Sequence, residues 1–118
     1  MSKRKSLMNV VFAGVAAFLL LAATPVWAAD ATVKIANFTF GPQELTVKAG
    51  TTVTWTNEDD IPHIVVSPNN FRSKVLDTDG TYAFTFTTPG TYKYFCSLHP
   101  HMTGTVVVEA ATGSITPP

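Results

Sequence analysis

The stretch Thr51-Thr52-Val53-Thr54-Trp55-Thr56-Asn57 alternates polar and apolar side chains. A period of two sends successive side chains to opposite faces of a pleated strand, so one face of this segment is apolar and the other is not. The threonine side reads as the solvent side, and Trp55 as a core residue. The same alternation returns in Tyr82-Ala83-Phe84-Thr85-Phe86-Thr87, which Pro89-Gly90 then interrupts with a turn signal. Val33, Ile35 and Phe38 form an earlier apolar set, closed by Phe40-Gly41-Pro42, and Leu45-Thr46-Val47 follows up to Ala49-Gly50. Ile64-Val65-Val66, Thr91 to Phe95 and Thr105 to Glu109 complete the series. No segment after the N-terminal region carries the apolar spacing of a long amphipathic helix. Short strands separated by turn residues predict an all-β chain, a Greek-key β-sandwich of seven to eight strands with antiparallel pairing. Phe71 to Gly80 is less periodic and is expected to be a loop or a short helical turn. Trp55, Phe84, Phe86 and Val107 are the expected core.

The ends of the chain differ from this middle. Lys3, Arg4 and Lys5 precede an uncharged apolar run from Leu7 to Ala23, and Val26-Trp27-Ala28 supplies a small-residue cleavage site. That order predicts a signal peptide over residues 1–28, removed after Ala28 on export to the periplasm. The competing reading is a retained anchor, because the apolar run approaches spanning length. The domain is then expected over residues 29–112, with a frayed tail at 113–118. Three of the eight basic residues lie in the signal, leaving five against eight acidic ones, a net charge of −3. No basic stripe marks the chain for nucleic acid. Once cleaved, the domain is expected to leave the membrane and to act as a monomer.

A domain this small has a limited core, and exported domains of its size often add disulfides. Cys96 is the chain's one cysteine, so no internal disulfide can form. An unpaired thiol in an oxidising compartment is exposed to oxidation unless buried or metal-bound. Cys96 could be an inert buried hydrophobe. It stands, however, in Tyr94-Phe95-Cys96-Ser97-Leu98-His99-Pro100-His101-Met102, where a thiolate, imidazoles and a thioether fall within seven residues. Two of the chain's three histidines lie in this run, and the third, His63 after Pro62, is the candidate to join the same site. Two histidines and a cysteine in a trigonal set, with a weak axial methionine, make a blue-copper centre. The expected metal ligands are therefore Cys96, Met102, His63 and either His99 or His101.

These residues carry a family resemblance. The run from Tyr92 to Met102, the Pro62-His63 pair and the closing Gly104-Thr105-Val106-Val107-Val108-Glu109 resemble a cupredoxin, a type 1 blue copper protein. The compact Cys-x₂-His-x₂-Met loop is most similar to that of the amicyanins. The resemblance covers about Ala31 to Glu109 and implies that His99, not His101, is the ligand, in the set His63, Cys96, His99 and Met102. It implies one type 1 copper ion as cofactor and a one-electron carrier in the bacterial periplasm. Redox partners such as a cytochrome c or a periplasmic dehydrogenase follow from the same likeness. Ile64 departs from the family, where an asparagine commonly follows the first histidine and hydrogen-bonds across to the cysteine loop. Ser97 is the residue left to supply part of that support. His101 is expected to be a solvated loop residue, and Glu58-Asp59-Asp60 either an ordinary polar turn or a patch that steers a basic partner.

Other functions fit less well. A cysteine hydrolase needs a base, an orienting group and an oxyanion site beside Cys96, and the chain offers no third member. A multicopper oxidase needs further histidines. The remaining rival is a non-redox copper carrier or sensor with the same ligands.

Overall fold

The computed structural model describes residues 29–111. The signal peptide over residues 1–28 and the tail at 113–118 expected from the sequence lie outside those residues. Nine strands run in order: β1 (Asp30–Ala36), β2 (Thr39–Gly41), β3 (Glu44–Lys48), β4 (Thr51–Asn57), β5 (Val65–Ser67), β6 (Phe71–Arg72), β7 (Thr81–Phe86), β8 (Gly90–Cys96) and β9 (His99–Glu109). They form a four-stranded sheet, β2-β1-β4-β7, and a five-stranded sheet, β3-β9-β8-β5-β6. The chain passes from one sheet to the other at most of its connections, as a Greek-key sandwich requires. Among the described residues no helix is long and apolar enough to cross a membrane.

The count exceeds the expected seven to eight because β2 and β6 are only three and two residues long, too short to show a period. β6 takes the first two residues of the stretch from Phe71 to Gly80, and the rest of it is loop and turn, as expected. Pairing is mixed, not purely antiparallel: β1 runs parallel to β4, and β3 parallel to β9. Strand direction follows from the crossings between sheets, and side-chain alternation along one strand carries no trace of it.

Trp55 explains how the sheets join. It projects from β4 and is fully buried. Its ring lies 5.4 Å from both Phe71 and Tyr94 of the opposite sheet, and 5.8 Å from Tyr82 of its own. Aromatic rings at these separations bury large areas and add edge contacts worth about 0.5–1.5 kcal/mol per pair. Val33, Ile35, Val53, Val65 and Val106 fill the space around them with no exposed surface. Phe86 joins the core as expected, and Phe84 packs against its margin.

Val107 does not. Val106 and Val108 are buried while Val107 is only half-buried. In Val106-Val107-Val108 all three residues are apolar, so the sequence cannot say which face points inward; pairing with β3 and β8 does. At one place backbones and side chains come unusually close. A side chain on Gly104 would collide with the Tyr94 ring, so glycine is the residue that leaves room for that ring.

Candidate metal centre

The centre is built at the end of the sandwich where β8 turns into β9. Cys96 pairs with His99 across the two-residue turn Ser97-Leu98. Continuing that register would put Phe95 opposite Pro100, yet Phe95 pairs with Thr103. The shift inserts three extra residues, Pro100, His101 and Met102, into the β9 side as a bulge. The bulge turns Met102 inward, where it is 3% exposed and packs in the same cluster as Cys96. His101 is left exposed on the outside. β9 thus begins at His99, six residues earlier than the strand expected from Thr105.

His63 arrives from the opposite direction, in the loop after β4. Its backbone forms an isolated bridge with Leu76: the His63 N–H donates to the Leu76 carbonyl at 3.1 Å, and the Leu76 N–H returns a bond at 2.8 Å. Asn57, fully buried at the end of β4, holds the loop in place. Its amide donates to the carbonyls of Ile61 (2.8 Å) and Leu76 (2.9 Å), and its Oδ1 accepts the Asp59 N–H (2.8 Å). Every side-chain valence of this buried amide that points at the loop is used, which makes it a rigid peg.

The result is a tight group of donors. Sγ of Cys96 lies 3.5 Å from Nδ1 of His63 and 3.7 Å from Nδ1 of His99. Ligand atoms of His63, Cys96 and His99 all fall within 4.8 Å of one another. Cys96 and His63 have no exposed surface, and His99 is half-buried. Two imidazole nitrogens converging on one buried sulfur suit a soft, borderline transition-metal ion and disfavour hard cations, which take oxygen ligands. Cys96 is a free thiol in this arrangement.

The other nitrogen of His63 is also engaged. Nε2 lies 2.9 Å from Oδ2 of Asp59. Asp59 also accepts the N–H groups of Asn37 at 2.6 Å and Phe38 at 3.0 Å. Burial raises the Asp59 pKa, but the bonds from Phe38, His63 and Asn37 outweigh it and hold the carboxyl below its ordinary value. An ionised Asp59 keeps the His63 proton on Nε2 and leaves Nδ1 with a free lone pair facing Cys96. The steering patch considered for Glu58-Asp59-Asp60 therefore loses its middle member, whose side chain is only 14% exposed and faces inward. A carboxylate four residues before a histidine was the available signal, but no periodicity distinguishes it from a polar turn.

Ile64 leaves the cross-loop tie to the backbone. The Ser97 N–H donates to the Ile64 carbonyl at 3.2 Å, so the link between the His63 loop and the cysteine turn needs no side chain at position 64. Ser97 contributes through its amide rather than its hydroxyl. Next to it, Val65 pairs with Cys96, and the Val65 N–H donates to Ser73 Oγ at 2.9 Å.

Comparison with known proteins identifies the family and the fold. The family model described as a cupredoxin-like domain matches residues 9–108. The chain is 40% identical over 103 residues to amicyanin-alpha of Methylorubrum extorquens, covering 82% of this chain and 87% of that one. It is 35% identical over 98 residues to the plastocyanin of Scenedesmus fuscus, covering 68% of this chain and all of the other. Among solved structures it resembles a purple cupredoxin from Nitrosopumilus maritimus (TM-score 0.64, 36% identity, 68% of this chain and 100% of that one). It resembles equally a mutant of amicyanin in the Cu(I) state (TM-score 0.64, 36% identity, 75% and 88%).

Proposed function

The chain belongs to the cupredoxin-like family, and on that premise we propose that it is a one-electron carrier of the periplasm rather than an enzyme. Its cofactor is a single type 1 copper ion, which His63, Cys96, His99 and Met102 would hold. The observation that carries the reading is the convergence of both Nδ1 atoms on one buried sulfur. When bound, copper supplies the exchange of one electron between Cu(I) and Cu(II).

The residues of the chain do the rest. Asn57, the Leu76 bridge and the Ser97–Ile64 bond fix three of the proposed ligands on two loops joined by hydrogen bonds. Donors fixed before either oxidation state is reached have little to rearrange, which keeps the barrier to electron exchange low. Burial of Cys96 and His63 keeps water from the sulfur. His99 is the half-exposed member and gives the electron its way out, with Leu98, 46% exposed, beside it as apolar surface for brief docking. Partners are redox proteins, a cytochrome c or a periplasmic dehydrogenase among the classes that fit. The chain meets them as a monomer after loss of residues 1–28.

Reconstitution with Cu(II), followed by visible and electron paramagnetic resonance spectra, tests this. An intense blue thiolate-to-copper band, bleached by ascorbate and absent in Cys96→Ser, is expected. A colourless protein that holds only Cu(I) would establish the copper-carrier alternative, and no copper uptake would end both readings.

A further inference from the structure

The turn between β1 and β2 is strained in an unexpected way. Ala36 pairs with Thr39, so Asn37 and Phe38 form a two-residue hairpin turn, and both have positive φ, 53° and 60°. Turns of this hand favour Asn followed by Gly. Asn37 suits its place, but phenylalanine in the left-handed region is costly for a side chain with Cβ. Nor does the core need Phe38, which is 45% exposed. Strain kept at a position without a packing role asks for another reason.

Two contacts supply one. The Phe38 ring lies 5.2 Å from the His99 imidazole at 87°, and 5.8 Å from that of His63 at 86°. One ring therefore stands edge-on to two imidazoles that are themselves 5.2 Å apart. The strained turn is held by the carboxylate of Asp59, which takes both turn N–H groups and also Nε2 of His63. The hairpin turn and the buried histidine thus share one anchor. Phe38 also lines, with Phe40, Gln43, His101 and Met102, a groove of about 220 Å³ beside the centre.

We propose that Phe38 is a positioning residue for the metal centre: clamped by Asp59, its ring fixes the orientation of the His63 and His99 imidazoles and shuts water out of the seam between them. The proposal rests on the reading of these histidines as copper ligands. A covered site disfavours the more highly charged oxidation state, so removing the ring lowers the reduction potential.

Three substitutions separate this role from a turn role. Phe38→Gly relieves the strained φ and on turn grounds alone is neutral or stabilising. Phe38→Leu keeps apolar bulk without the ring, and Phe38→Tyr keeps the ring. Proton NMR of the copper-free full chain should show nuclear Overhauser contacts from the Phe38 ring to both imidazoles. The nuclear Overhauser contacts between the His63 and His99 ring protons, which report their mutual orientation without the Phe38 ring current, should change in Phe38→Gly and Phe38→Leu and return to the wild-type pattern in Phe38→Tyr. In the copper-loaded protein the potential should fall in Phe38→Gly and Phe38→Leu but hold in Phe38→Tyr. Copper loss to a chelator should quicken about tenfold in the first two. Absent ring-to-imidazole contacts, or inter-imidazole contacts and potentials that match wild type in Phe38→Gly, would overturn the proposal and leave Phe38 an incidental turn residue. If the wild type takes up no copper, the copper reading fails by itself, while the copper-free NMR still decides whether Phe38 positions the imidazoles.

Discussion

Replacing Asp59 by alanine removes one acceptor from three donors, and the structure says how unequal the three losses are. The Asn37 and Phe38 N–H groups belong to an exposed turn and can bond water instead. The His63 Nε2–H cannot, because His63 has no exposed surface. A buried donor left unpaired costs about 1–3 kcal/mol, and each exposed bond about 0.5–1 kcal/mol. Asp59→Ala should therefore destabilise the copper-free protein by about 3 kcal/mol, roughly a 150-fold change in the folding equilibrium. Asp59→Asn is milder. Its carboxamide oxygen can take the Oδ2 place and keep Phe38 and His63, sacrificing the Asn37 bond and the charge, for about 1 kcal/mol. Urea denaturation, followed by the fluorescence of buried Trp55, measures both. Copper affinity should fall about 10–100-fold in Asp59→Ala, since nothing then holds the His63 proton on Nε2 and away from Cys96. Acid narrows the gap. The folded pKa of Asp59 is depressed, so its contribution is present above the ordinary carboxylate pKa and disappears as pH falls through the folded value. An Asp59→Ala protein within about 0.5 kcal/mol of wild type, or a greater loss in Asp59→Asn than in Asp59→Ala, would refute this account of His63.

Other outcomes follow from single contacts. Asn57→Ala removes the bonds to the Ile61 and Leu76 carbonyls and from the Asp59 N–H, the Leu76 carbonyl keeping only the His63 N–H, and should cost about 2–4 kcal/mol by denaturant titration, with weaker copper binding besides. Gly104→Ala drives a methyl into the Tyr94 ring and should cost about 1–3 kcal/mol; adding Tyr94→Phe should recover part of it, a coupling that a double-mutant cycle reads. Tyr94 is pushed up to about 12 by burial, tempered by the nearby Trp55 indole, although neither polar atom has a hydrogen bond of good geometry. Its folded state holds the proton more tightly than the unfolded chain, so stability is intact below about pH 10 and falls between about 10 and 12 by up to about 1.4 kcal/mol per pH unit. Tyr94→Phe should be nearly neutral at pH 7 and should lose that alkaline slope.

Local chemistry wrote much of this protein into its sequence. The alternation of Thr51 to Asn57 is β4 residue for residue, because a half-buried strand must repeat every two positions. Cys96, His99 and Met102 carry their donor types wherever the chain goes, and their spacing is compatible with one turn of a hairpin. Position-by-position reading went astray where neighbours in space are distant in sequence or where the pattern is uniform. Phe38 reads as one more apolar strand residue, yet it sits at a turn fixed by a carboxylate 21 residues away. The valine run admits either face, and only pairing with β3 and β8 turns Val107 outward.

Donor types and strand character, then, were determined by the sequence alone, since both depend on residue type and short spacing. The tertiary structure decided the three-residue register shift that buries Met102 and exposes His101, the Asp59 anchor behind His63, and the backbone tie that makes Ile64 tolerable. Each of these is a bond between segments whose approach is set by the packing of two sheets around Trp55, and no local pattern encodes that approach.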